Sequence, residues 1–199
     1  MTKAPIARDR AQMGKLVAQN HGWAAAKAFK SATMTHDDGV AVSKAGLDLL
    51  RVFPASPAEA PLMSAALAVR LEGALSAPAY VVAGTLAVEG TPVLGDRLAF
   101  DPEEAFAGET PRFNGHVWLM VGDIIIDIAL FRLAYSADGP AVLSRHVDLA
   151  FGPGKALFVD LWKHAARLGL NYEPHYVLSS DDVTRLMGGA FHAIKAAQG

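Results

Sequence analysis

Between Gly115 and Ala129 the chain reads Gly-His-Val-Trp-Leu-Met-Val, then Gly-Asp, then Ile-Ile-Ile-Asp-Ile-Ala. Two β-prone runs separated by a two-residue loop that begins with glycine predict an antiparallel hairpin on a tight primed turn. Val121 then faces Ile124, Trp118 opposes Asp127 and His116 opposes Ala129. Alternation puts Val117, Leu119, Val121, Ile124, Ile126 and Ile128 on one wholly aliphatic face that must be buried. The other face carries His116, Trp118, Met120, Ile125, Asp127 and Ala129. His116 and Asp127 become diagonal neighbours, roughly 7–8 Å apart at Cα and within side-chain reach. A carboxylate in an apolar strand is costly unless something pairs with it, and histidine on the neighbouring strand is the obvious partner.

Around the hairpin the hydrophobic period changes. Residues 1–36 read as helical, most clearly Gly22 to Thr33, where Trp23, Ala26 and Phe29 recur at helical spacing. Lys44 to Phe53 predicts a second short helix, with Leu47, Leu50 and Val52 apolar and Pro54 closing it. Ser56-Pro57-Ala58-Glu59 has the form of a capping box with proline at the first helical position. Pro61 would remove a donor from the second turn. The better reading is a short turn over 57–60, then a main helix from Pro61 to about Leu75, with Leu67, Leu71 and Leu75 as its buried stripe.

Residues 79–88 form a β-rich run ended by Glu89-Gly90, Arg97 to Phe100 offers a short strand, and 101–114 is a polar excursion. Past the hairpin, Lys155 to Leu168 reads as helix and Tyr172 to Leu178 as strand. A last helix runs from Asp181 to about Lys195, capped by Ser180, with Asp181 and Asp182 at its positive end. This order predicts an α+β domain: a long helix packed on an antiparallel sheet, with helices at both ends. One domain over 1–199 fits the length, comprising a helical segment 1–55, a core 56–130 and an α/β segment 131–199.

Composition narrows the chemistry. The formal net charge is −2, which argues against broad binding to nucleic acid or an acidic membrane surface. The most apolar stretches are cut by Glu89, Asp123 and Asp127, short of the roughly 20 residues a membrane helix needs. The N-terminal MTKAPIARDRAQMGK lacks the apolar segment of a secretory signal, so a cytoplasmic location is the simplest expectation, with a transit peptide as the alternative. There is no cysteine, which removes disulfides, thiolate metal sites and a cysteine nucleophile. The seven histidines show no metal-ligand spacing, so no metal or cofactor is expected. His36-Asp37-Asp38 before Gly39 reads as a helix end, and Phe151-Gly-Pro-Gly-Lys155 reads as a turn. Arg145-His146 and Lys163-His164 read as solvated faces. Phe113, Tyr172 and Tyr176 are candidates to line a cleft, with core packing the plainer role.

A helix starting near Pro61, a strand at 79–88, then G-H-V-W-L-M-V-G-D-I-I-I-D-I resembles the core of papain-like, transglutaminase-like cysteine hydrolases over roughly residues 56–130. In that superfamily a nucleophilic cysteine sits at the helix N-terminus, and a histidine and then an aspartate follow on adjacent strands. The resemblance assigns the histidine role to His116 and the acid role to Asp127. Trp118, with Phe113, would border the pocket. The nucleophile slot falls at Ala60, where a thiol would be acidified by the helix N-terminus and by protonated His116.

Alanine there does no chemistry, and three explanations compete. The chain is a Cys→Ala variant, or a degenerate member, or Ser64, one turn later on the same face, has become the nucleophile. The plain role for Ser64 is helix packing or a bond back to the i−4 carbonyl. The resemblance therefore implies acyl transfer, or amide or ester hydrolysis, on a peptide, protein or small acyl substrate. Against it stand a catalytically inactive binding module that keeps the cleft, and a structural helper whose His–Asp pair only stabilises the sheet.

Overall fold

The computed structural model describes residues 6–198. The part of the predicted N-terminal helix that falls on 1–5 lies outside them. Helix α1, Arg10–Ser31, begins behind Asp9, whose carboxylate accepts from the Gln12 N–H. It kinks at Gly22, where φ is +81°. The kink turns Trp23 out to 74% exposure, while Ala26 and Phe29 stay buried. The stripe read there thus loses its first member.

Helix α2, His36–Val52, is longer than its apolar spacing indicates and starts where the sequence reading placed a helix end. Thr35 and Asp38 form a reciprocal capping box, so His36-Asp37-Asp38 opens the helix. Leu47 and Val52 are exposed, and Val42, Ala45 and Leu49 carry the buried face instead. A 3-10 turn, Pro57–Glu59, then leads into α3, Ala60–Leu71. Ser56 supports only the turn, its Oγ accepting from the Ala58 N–H. Helix α3 stops four residues before Leu75, because Glu72 leaves helical geometry and Gly73 adopts φ +72°.

The strands are β1 Tyr80–Val88, β2 Thr91–Leu94, β3 His116–Val121, β4 Ile124–Asp127, β5 Phe158–Leu161 and β6 Leu170–Val177. All their pairings are antiparallel, in the order β2-β1-β3-β4-β5 with β6 on β1. Strand β2 follows a turn through Glu89 and Gly90, both at positive φ, and was not anticipated. The strand expected at 97–100 is reduced to an isolated bridge at Leu98, next to Arg97 at φ +61°. The hairpin has the register its pattern requires, Val121↔Ile124, Met120↔Ile125 and Leu119↔Ile126. Gly122 opens the turn at φ +54°.

The helix expected over 155–168 is instead strand β5 followed by a short α7, Trp162–Arg167. Phe158 and Val159 alternate buried and exposed, the period of an edge strand. Three further short helices fill the connections: α4 Pro102–Ala105, α5 Leu130–Tyr135 and α6 Ala141–Ala150. The last helix, α8 Ser180–Gln198, is capped one residue earlier than read. The Ser179 hydroxyl accepts from the Asp182 N–H, while the Asp182 carboxylate accepts from the Ser179 N–H.

The sheet curls. Strand β6 lies along one flank of β1, and β3 and then β4 extend from the other. On a flat sheet β6 and β4 would stand three strand spacings apart, about 14 Å. Yet the Tyr172 hydroxyl on β6 reaches Asp127 on β4 at 2.8 Å. At the seam the Trp162 indole N–H, just past β5, donates to the Tyr172 carbonyl at 3.0 Å. Both faces of the hairpin are therefore interior: His116, Trp118 and Met120 are as buried as Val117 and Leu119. Helix α3 packs along β3 and against α2 and α8.

Candidate functional site

His116 begins β3 and Asp127 ends β4, so the hairpin register alone brings the two side chains onto one face. The His116 Nε2–H donates to Asp127 Oδ2 at 2.6 Å. The same oxygen accepts the Tyr172 hydroxyl at 2.8 Å. Asp127 Oδ1 accepts the backbone N–H groups of Ala129 and Leu130, at 2.9 and 3.0 Å, where the chain leaves the strand for α5. Four donors saturate the carboxylate. That is why an acid tolerates complete burial here, with 1% side-chain exposure for His116 and 0% for Asp127.

Aromatic rings close around the network. Trp118 stacks on His116 at 5.8 Å between centroids, and Tyr172 meets Trp118 edge-on at 5.1 Å. Phe158 stacks on Tyr172 and continues the wall toward Phe131 and Phe151. The Trp118 Nε1–H is buried without a hydrogen-bond partner among the described residues. Burial lifts the Tyr172 phenol well above its usual range, and the neighbouring Asp127 charge and hydrogen bond push the same way. Asp127 engages Nε2 of the imidazole, which leaves Nδ1 as the nitrogen that could serve a reacting group.

The structure places the proposed nucleophile positions on α3. Ala60 is its first residue and is 6% exposed. Ser64, one turn on, is fully buried, and its hydroxyl donates to the Val117 carbonyl at 2.8 Å. The β3–β4 pairing stops at Leu119↔Ile126. The Val117 carbonyl would be the next hydrogen-bonding position toward β4, and Ser64 takes the place of the missing strand partner. This bond ties α3 to the strand that carries His116.

Arg132, on α5, braces the approach to the helix by donating to the Phe53 and Pro54 carbonyls at 3.1 and 2.7 Å, and to that of Leu50. Glu59, immediately before Ala60, has Oε2 buried with no hydrogen-bond partner among the described residues. Its side chain makes no capping hydrogen bond to the first turn of α3.

Phe113 does not join the wall around His116. It packs with Phe100 and Phe106, and that group extends to Tyr176, four residues past Tyr172 in β6 but shifted to the other face by the irregularity opposite Ala83 and Gly84. Tyr176 donates to Asp182 on α8, and burial, followed by this bond, raises its phenol to about 12. His146, read as a solvated face, is half-buried and lies beside Gly169, with Nε2 lacking a partner among the described residues. Among the described residues no cluster of three acidic or histidine side chains is placed to hold a metal ion.

Tyr172 is the member of the network that sequence reasoning left in the core. Its partner stands 45 residues earlier in the chain, and only the curl of the sheet joins them. Two surface cavities, one beside Glu72 and Tyr80 and one beside Arg97 and Trp162, are lined by neither His116 nor Asp127. Compared with protein-family models, curated proteins and solved structures, the chain matches none.

Proposed function

We propose that this chain is a catalytically silent relative of the papain-like, transglutaminase-like hydrolases, a binding module that keeps the His–Asp arrangement as a structural element. One observation carries the reading: neither nucleophile position offers a usable atom. Ala60 has only a methyl group, and the Ser64 hydroxyl is committed to the Val117 carbonyl inside the core. A serine nucleophile needs its hydroxyl hydrogen directed at a base and open space beside it for the substrate carbonyl.

Two further features agree. The imidazole is sealed from solvent, and Asp127 is shared between His116 and Tyr172, as in a network that closes a sheet. Action by binding, in the cytoplasm, on a small molecule or peptide is the corresponding function. The described residues contain no helix long and apolar enough to cross a membrane.

The test is intact-mass spectrometry of the unmodified chain after exposure to a fluorophosphonate and to an activated ester. No covalent adduct is expected. Stoichiometric labelling of Ser64 that His116→Gln abolishes would replace this reading with a serine hydrolase.

A further inference from the structure

A cavity of about 510 Å³ lies at the C-terminal end of α3. It is some 16 Å along the helix from Ala60. Its floor is apolar, formed by Leu71, Leu75, Val81 and Leu178, and its mouth is polar. The size falls within the usual range for small-ligand sites, and at roughly 30 Å³ per water-sized group it holds on the order of fifteen non-hydrogen atoms.

The polar groups are unbalanced in one direction. Glu72 supplies a carboxylate, and no lysine or arginine lines the cavity. The last turn of α3 presents its carbonyl end there, the negative pole of a 12-residue helix, and Arg70 in that turn stays outside the cavity lining. The His21 Nε2–H donates to the Leu178 carbonyl at 2.8 Å, so Nδ1 is left as an acceptor. His21 packs edge-on against Tyr80 at 5.0 Å, and both rings line the same cavity as the exposed Glu72. The opposing start of α8, at Ser180, would favour an anion, but Asp181 and Asp182 in its first turn offset that pole.

We infer that this cavity binds a protonated amine carried on a short apolar or aromatic body, the ammonium lying between Glu72 and the His21–Tyr80 pair. The inference deepens the binding reading above by naming a ligand class. It rests on that reading, and its test is separable, because covalent labelling of Ser64 and occupancy of this cavity can each fail alone.

The experiment is a backbone-amide NMR titration of the unmodified chain with 2-phenylethylamine, 3-phenylpropionate and 2-phenylethanol. The amine should produce saturable shifts centred on Tyr80, Val81 and Thr184, with affinity about tenfold above that of the carboxylate, the ratio expected of one charge pair. Glu72→Gln should lower amine affinity about two- to fivefold and leave the alcohol unchanged. Val183→Trp, which fills the cavity, should weaken all three. Equal or tighter binding of the carboxylate would overturn the inference. So would shifts located elsewhere, or none that saturate by about 10 mM.

Discussion

The hydroxyl of Tyr172 and the imidazole of His116 meet on one oxygen of Asp127, at 2.8 and 2.6 Å, although two strands separate β6 from β4 in the sheet. A phenol from the far flank thus closes the sheet onto the hairpin through a carboxylate. The bond is buried and charge-assisted, so Tyr172→Phe should cost about 1.5–3 kcal/mol. For a domain of this size that lowers Tm by roughly 3–12 °C. Asp127→Ala should cost more, about 3–5 kcal/mol, because it strands His116 and two backbone N–H groups at once. Thermal unfolding followed by circular dichroism measures both. Tyr172→Phe unfolding at the parental temperature would mean that the hydroxyl contributes nothing to closure.

The same phenols set an alkaline limit. Tyr172 and Tyr176 both have their pKa raised in the folded chain, chiefly by burial, Tyr176 to about 12. A raised folded-state value means the stabilisation is complete below the unfolded value near 10 and is lost as pH climbs through the folded one. Stability should fall between about pH 10 and 12, and less steeply in Tyr172→Phe. Urea midpoints across that range check it. A flat profile for the parental chain would contradict the assignment.

Acid stability should depend on Asp38. Its carboxyl caps α2 through Thr35 and accepts from both the N–H and the hydroxyl of Ser76, which tethers the segment between α3 and β1. The Ser76 bonds, then that from the Thr35 backbone, hold it well below the usual carboxylate range. A lowered folded-state pKa gives stability that is present above the unfolded value of 3.8 and lost as pH falls toward the folded one. Asp38→Asn should therefore be destabilised at neutral pH, with the gap to the parental chain narrowing below about pH 4. A gap constant from neutral to strongly acidic pH would exclude this role.

Gly84 is required by proximity and not by backbone conformation. A Cβ there would lie 2.1 Å from the Glu173 carbonyl oxygen and 2.8 Å from the Trp118 ring. Backbone on β6 cannot yield as a side-chain tip can, so Gly84→Ala should cost at least about 2 kcal/mol. Loss of the near-ultraviolet tryptophan signal ahead of helix signal on heating would place the damage at Trp118. A Gly84→Ala chain as stable as the parent would show that β6 has room to shift.

How much of this the sequence could show depends on the range of each interaction. The β3–β4 hairpin and its His116–Asp127 pairing were legible because a two-residue turn fixes register locally. The α3 start at Pro57–Ala60 was legible for the same reason, through its prolines. Strand β5 was misread as helix because Phe158-Val-Asp-Leu161 is too short to set a period, and its neighbour β4 lies some thirty residues away. The capping box at Thr35 and Asp38 was overlooked in favour of Gly39, a residue that here sits inside a helix. Tyr172 and the curl were beyond sequence reach, since nothing local distinguishes Tyr172 from Tyr176 on the other face.

The most direct test of the central claim, that no working nucleophile site exists at the start of α3, is the alkylation rate of an Ala60→Cys chain by iodoacetamide at about pH 6. Ala60 is 6% exposed, Glu59 stands beside it, and His116 is sealed in its network with Asp127 and Tyr172. The thiol should therefore react no faster than a free cysteine at that pH. Labelling many times faster, and slowed to the free-thiol rate by His116→Gln, would contradict the account. It would show an activated thiolate–histidine pair one side chain away from the present sequence.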